Sequence, residues 1–406
     1  MTGYDVVVVG GRVAGASSAL LLARAGARVA LVDRSAHGSD TLSTHGLMRA
    51  GVLQLSRWGL LDRVVAAGTP PIRATSFHYA GDRTVRVSIR PTPGVTALYA
   101  PRRQLLDRLL VDAAADSGVE TFHDTTVLGL LRDATGRVAG VRATTRGGAD
   151  VDLSAPVTVG ADGIRSLVAR EAGAPVVRQG RTASAVLYRY VPGVVCDGYE
   201  WAYGDGAAAG LIPTNDGETC VFVSTTPDRM RALRRDGTEA AFAGLLGRAG
   251  PALVDRVAGA TGAGRVHGWS GLPGYVRRSW GPGWALVGDA GYFKDPITTH
   301  GMTDAMRDAE LLVTALLDVA RGAASEEAAL SQYQAVRDGL SSALFAVTED
   351  VAAYDWDIGQ VQALLRRVSS AMSDEVDHLQ SLAERPLGPG FDPMLRADNA
   401  MRASLA

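Results

Sequence analysis

Asp289 is the residue whose setting points most directly to chemistry. It lies in WALVGDAGYFKDPITTHGMTDAMRDAE, residues 284–310, which joins an apolar strand, an acidic turn, a Pro/Gly loop and a helix. Ala285, Leu286 and Val287 read as a short buried strand. Gly288 then lets the chain turn so that Asp289 can accept hydrogen bonds from ribitol or ribose hydroxyls. Pro296 and Gly301 shape the loop that follows. Beyond it, Ala305, Met306, Ala309 and Leu312 repeat at helical spacing, so the free amides at Gly301 and Met302 can face the anionic edge of a cofactor.

The amino terminus supplies a second site of the same kind. DVVVVGGRVAGASSALLLARAGARVALVDR reads as strand, glycine turn, helix and strand, the order of a dinucleotide-binding unit. Val6 to Val9 suit a central parallel strand, Gly10 allows the tight turn, and Gly15 permits close helix packing. Asp33 ends the second strand at about the twenty-residue spacing of a carboxylate that holds an adenosine ribose, with Arg34 beside it. Arg12 occupies the middle glycine position of G-x-G-x-x-G and places a long cation where backbone would approach a pyrophosphate. It either lies beside that pyrophosphate or is a surface arginine that tolerates the turn.

Glycine spacing alone does not separate FAD from NAD. The order of motifs does: the dinucleotide unit, then VTVGADGIRS at 157–166, then Gly288-Asp289. In these three motifs, over roughly the first 330 residues, the chain resembles the FAD-dependent monooxygenases of the para-hydroxybenzoate hydroxylase type. The resemblance implies an α/β fold. Its parts are a Rossmann-type, glutathione-reductase-like FAD-binding domain, an inserted mixed β-sheet substrate domain and a helical C-terminal region. The expected division is residues 1–73, 98–178 and 265–330 for FAD, 74–97 and 179–264 for substrate, and 331–406 for the helical end.

Carried across by residue, the resemblance gives Gly10, Arg12, Gly15 and Asp33 to the ADP half of FAD and Asp289 to the ribitol, with Arg34, Gly288 and Pro296 among the cofactor-binding candidates. It gives Gly301 and Met302 to the flavin pyrimidine edge. Of the two arginines in APRRQLLDRLLVDAA, spacing favours Arg103 over Arg102 as a flavin contact. Arg49, one turn beyond His45, is a candidate for positioning the ribityl chain or substrate. Asp162 and Gly163 serve in such enzymes to support both FAD and NAD(P)H. Val168 and Ala169 stand where relatives often carry an arginine, which makes nicotinamide use less secure than flavin binding. NADPH or NADH is the expected reductant, with a separate flavin reductase left open.

Three further side chains are weak catalytic candidates. Lys294 is the single lysine among 41 Lys and Arg residues and falls in the flavin loop. It either pairs with Asp295, faces the flavin or is a solvated loop residue. His45 and His300 sit in similar polar, glycine-bounded segments, where cofactor contact, substrate contact and plain packing all remain open. Covalent attachment of FAD to His45 is the least favoured reading.

Composition sets limits. The chain has 406 residues, 47% hydrophobic residues and a formal net charge of -2, which indicates a soluble globular protein with room for two cores. No basic run points to nucleic acid, and no apolar run is long enough to span a bilayer. Cys196 and Cys220 are too few for a disulfide framework, no metal is expected, and a reducing cytoplasmic location follows. Between about 179 and 264 the texture shifts to strands with aromatic faces. Trp201, Tyr203 and Phe222 are the candidate pocket residues there, with ordinary core as the alternative. Residues 349–382, including Tyr354 and Trp356, either cover the substrate entrance or pair two subunits in a homodimer.

The implied reaction is reduction of FAD by NAD(P)H, then oxygen transfer from a flavin C4a-hydroperoxide to an aromatic or polyketide-like small molecule, in specialised metabolism. O2 and that substrate are the expected partners. Geranylgeranyl-reductase-like reduction of prenyl double bonds is the runner-up, from Tyr199-Glu200-Trp201 with Pro213 downstream. Flavin-dependent halogenation is disfavoured because the chain has no W-x-W, and a flavoprotein without turnover has the least support.

Overall fold

The computed structural model describes residues 3–43, 46–79 and 83–382. Two sheets organise it. The first has six strands in the order Trp280–Gly281, Trp284–Leu286, Val157–Gly160, Val6–Val9, Val29–Val32 and Glu120–Phe122. All neighbours are parallel except the first pair. The valine run at the amino terminus has no polar face because both of its faces are covered. Val6 and Val8 join the core with helices Val13–Arg24, Arg103–Asp116 and Gly301–Ala320. Val7 and Val9 pack against a three-stranded meander of Thr125–Arg132, Val138–Thr145 and Asp150–Ser154.

The second sheet has seven strands, with Ala185–Pro192, Glu218–Thr225, Ala207–Pro213 and Tyr199–Gly204 at its centre. Ala74–Tyr79 adds to it in parallel beside Tyr199–Gly204, followed by Arg83–Ser88. The sheet also takes in His267–Trp269, beyond the expected boundary at 264. Period-2 alternation divides its faces. Leu187, Ala202, Ala209 and Val223 pack on helices Pro227–Leu233, Thr238–Ala249 and Pro251–Ala258. Tyr188, Tyr190, Trp201, Tyr203 and Phe222 belong to the core shared with the dinucleotide-type sheet. The Asn215-Asp216-Gly217 turn carries left-handed backbone at Asp216 (φ 61°) and Gly217 (φ 68°), as a tight hairpin with Asp-Gly chemistry requires.

Two long helices end the described chain. Glu326–Ala352 runs through the expected boundary at 331 and packs on Gly301–Ala320. Ile358–Leu382 packs on it and on Arg49–Arg57. No helix among the described residues is long and apolar enough to cross a membrane. The prolines at 386, 389 and 393, read from sequence as a loose tail, lie outside the described residues.

Candidate active site

The glycine turn is built by close backbone contact. A β-carbon on Gly15 would overlap the Gly10 carbonyl oxygen, and one on Gly10, whose φ is +105°, would overlap the carbonyl of Ala161. The helix beginning at Val13 has no side-chain cap and no acidic residue in its first turn, so its leading amides stay free for an anion. Asp33 stands against this turn, accepting from Gly11 N at 2.5 Å and Ser35 N at 2.7 Å. Arg34 is exposed beside it. Gly11, Arg12, Asp33, Ser39, Asp107 and Val111 line one surface pocket here.

Arg12 is folded back rather than extended into solvent. Its guanidinium donates to Asp107 Oδ2 at 3.0 Å and to the Ser39 carbonyl at 2.5 Å. Arg103 donates to both oxygens of the same Asp107 at 3.1 Å. Two guanidiniums on one buried carboxylate leave a net positive charge beside the free helix amides, which suits a pyrophosphate. Arg102 goes elsewhere, to Glu218 at 2.5 Å and over the Tyr190 ring at 3.6 Å, so of the two neighbouring arginines one faces the aromatic sheet and the other stays on its own helix beside the glycine turn.

Gly288 brings the second acidic turn to the first. Its φ is +58°, and a β-carbon there would stand 2.9 Å from Ala14 Cβ. Asp289 follows with an exposed side chain in a setting crowded by protein. Loss of solvation pushes its carboxyl up to about 6, while Lys294 and Arg103 pull the other way. Asp162 is committed locally: it accepts from Ser166 Oγ at 2.5 Å and Leu167 N at 2.6 Å, and so caps the short helix after it. Its backbone, with Ala161, packs against Gly10. A β-carbon on Gly163 (φ +77°) would meet nothing within 4 Å.

The loop from Lys294 to His300 leads into the helix that starts at Gly301. Asp295 is buried and accepts from Ser184 N and Ser184 Oγ, each at 2.5 Å, which ties the loop to the aromatic sheet. Lys294 therefore does not pair with Asp295; its ammonium pairs with Asp304, and burial pushes it down to about 7. Pro296 begins a short 3-10 turn, and Thr299 closes it in left-handed conformation (φ 54°). Gly301 is exposed, and a β-carbon on it would meet nothing within 4 Å, whereas Met302 is buried. His300 is buried on Glu375 of the C-terminal helix at 2.6 Å. His300, Asp304 and Glu375 approach one another closely enough to ligate a metal, but Arg307 and Lys294 already neutralise the two carboxylates.

His45 lies outside the described residues. Its neighbour Gly46 is held against Thr299, near the Tyr199 hydroxyl, so this loop, the 294–300 loop and the aromatic sheet meet. The Arg49 guanidinium donates to the Arg90 carbonyl and to Thr92. Trp201, Tyr203 and Phe222 are all buried, with Trp201 and Phe222 rings 5.7 Å apart. Trp356 meets Tyr203 edge-on at 6.0 Å, and Tyr354 lies beside Trp356 at 5.8 Å. The turn between the last two helices thus closes the aromatic face. Asp107 entered the sequence reading only through its spacing to Arg103, and Glu375 carried no signal. For Asp304 and Arg307 the hint was several charges inside one helix of otherwise small and apolar residues.

These residues fit FAD. The free helix starts suit anions, and Asp33 and Asp289 suit hydroxyls. Fold and site together define an FAD-dependent oxidoreductase of the monooxygenase superfamily. The chain belongs to the FAD binding domain family, whose match covers residues 3–348. It is 29% identical to digeranylgeranylglycerophospholipid reductase of Methanothrix thermoacetophila over 321 residues, 75% of each chain. With aklavinone 12-hydroxylase DnrF of Streptomyces peucetius it shares 28% over 381 residues, 86% of this chain and 74% of the relative. The structure of Pseudomonas aeruginosa PqsL in complex with 2-aminobenzoylacetate superposes with a TM-score of 0.75 at 25% identity, over 92% of this chain and all of that one.

Proposed function

We propose that the protein is a monooxygenase that takes electrons from NADPH or NADH and uses O2 to hydroxylate a flat aromatic or polyketide-like small molecule. The observation that supports this best is the face of Trp201, Tyr203 and Phe222, joined through Asp295–Ser184 to the loop that leads into Gly301. Such a face holds a flat ring by stacking and keeps water away. Bound FAD supplies the electron transfer and oxygen activation. The chain supplies the rest: Asp33 and Asp289 hold hydroxyls, Arg12 and Arg103 offset pyrophosphate charge, and the amides at Gly301 and Met302 face the pyrimidine edge.

Burial pushes the Tyr203 hydroxyl above its ordinary value, so it is a donor to a substrate oxygen rather than a base. Lys294 is tied into a buried ion pair with Asp304 and His300 into a buried hydrogen bond with Glu375, which fits them for holding the loop rather than for touching substrate. Asp162, spent on its helix cap, leaves direct nicotinamide binding with backbone support only; a separate reductase is the alternative source of electrons. Two free cysteines, Cys196 and Cys220, accord with a cytoplasmic location.

Turnover of phenols and hydroxylated anthraquinones under isotope-labelled O2 tests the reading. One labelled oxygen in the product supports it, and an unlabelled product oxygen, taken from water, contradicts it. Reduction of prenyl double bonds is the second reading, favoured by the 29% identity to the archaeal reductase. Anaerobic saturation of a geranylgeranyl substrate, with no oxygenated product, would put it first.

A further inference from the structure

Glu375 comes from the C-terminal helix, Ile358–Leu382, yet its carboxylate lies among residues of the cofactor loop and is 2% exposed. One oxygen bonds His300 Nε2 at 2.6 Å, and the other accepts from Arg307 Nη1 at 2.9 Å. His300 directly precedes Gly301, and Arg307 lies further along the same helix. A single carboxylate therefore grips this helix before and after its first turn.

The other partners are all buried as well. Arg307 also donates to Asp304 at 2.9 Å, to Asp308 at 2.7 Å and to Ser341 Oγ at 2.9 Å, and Lys294 pairs with Asp304. Burial alone would raise the Glu375 carboxyl, but its contacts with His300 and Arg307 outweigh burial and lower it, so the group is an anion. Such a network is weak evidence for stability, because well-packed apolar residues of similar volume often serve as well as buried ion pairs. What the ions add is direction, because each hydrogen bond fixes an angle. The segment they hold needs fixing: Thr299 sits at φ 54°, a backbone state that a threonine keeps only when its surroundings enforce it.

We infer that Glu375 is a positioning residue for the flavin ring. Through His300 and Arg307 it fixes the Thr299–Met302 segment, which makes the C-terminal helix part of the cofactor site. The inference rests on the reading that Gly301 and Met302 meet the flavin pyrimidine edge.

The test uses the apo-protein with Glu375→Gln and Glu375→Ala. FAD binding is followed by flavin fluorescence and absorbance, and ADP binding by calorimetry, because ADP occupies only the Asp33 end. E375Q is expected to bind FAD about tenfold more weakly, with an altered visible flavin band and unchanged ADP affinity. Should E375A fail to fold, E375Q alone decides. Wild-type FAD affinity and spectrum in E375Q would overturn the inference, as would equal losses of FAD and ADP. A wild-type protein that binds ADP but not FAD would instead show that the cofactor reading itself had failed.

Discussion

Gly288 lies against Ala14: a β-carbon on the glycine would stand 2.9 Å from the alanine methyl and 3.6 Å from that of Ala305. One missing side chain therefore sets the glycine-turn helix, Asp289 and the helix from Gly301 relative to one another. Gly288→Val is expected to destabilise the apo-protein by about 2–5 kcal/mol, from overpacking together with strain at φ +58°. Urea unfolding measures it.

Asp33 accepts from two backbone amides, Gly11 N and Ser35 N, and in the proposed cofactor site its carboxylate receives ribose hydroxyls. Asp33→Ala is expected to weaken both ADP and FAD by roughly ten- to a hundredfold, the worth of hydrogen bonds to a charged group. Calorimetry with ADP reads this directly. Loss of FAD affinity alone would place Asp33 at the other end of the cofactor.

Glu200 predicts an acid limit to stability. Burial raises its carboxyl, but Arg256 and His78 outweigh that and hold it at about 2 against an ordinary 4.5. A carboxyl lowered on folding stabilises fully above the unfolded value, and that stability is lost as pH falls from about 4.5 towards 2. Glu200→Gln is expected to flatten this part of the pH–stability curve, read as the melting temperature at a series of pH values.

Trp356 covers Tyr203 from the turn between the last two helices. Trp356→Ala is expected to cost about 3–5 kcal/mol by leaving a cavity, and to shift preference towards bulkier aromatic substrates. Denaturant unfolding checks the first part. Comparative kcat/KM for one-ring and three-ring phenols checks the second, and unchanged preference would remove Trp356 from the pocket wall.

The glycine turns of the proposed cofactor site were legible in the sequence because their demands are local. Gly10, Gly15 and Gly288 mark places where backbone must pass close or turn left-handed, and Asp33 and Asp289 end strands at fixed spacing from them. The resemblance carried by these motifs implied the α/β architecture, and aromatic alternation located the second sheet, with strands close to those observed. What escaped was long-range pairing. Nothing local tells Lys294 to choose Asp304 over its neighbour Asp295, or Glu375 to reach His300, because those choices depend on how the last helix docks. Arg12 was ambiguous for the same reason, since Asp107 comes from a different helix.

The most direct test of the account follows the visible spectrum of the FAD-loaded protein without oxygen as NADPH or NADH is added, then with oxygen and a phenolic or polyketide-like substrate. One nucleotide is expected to bleach the flavin, and oxygen to restore it with formation of a hydroxylated product. A flavin that neither nucleotide bleaches would contradict a self-sufficient enzyme. A flavin that is reduced and reoxidised with no oxygen entering any substrate would contradict the monooxygenase reading itself.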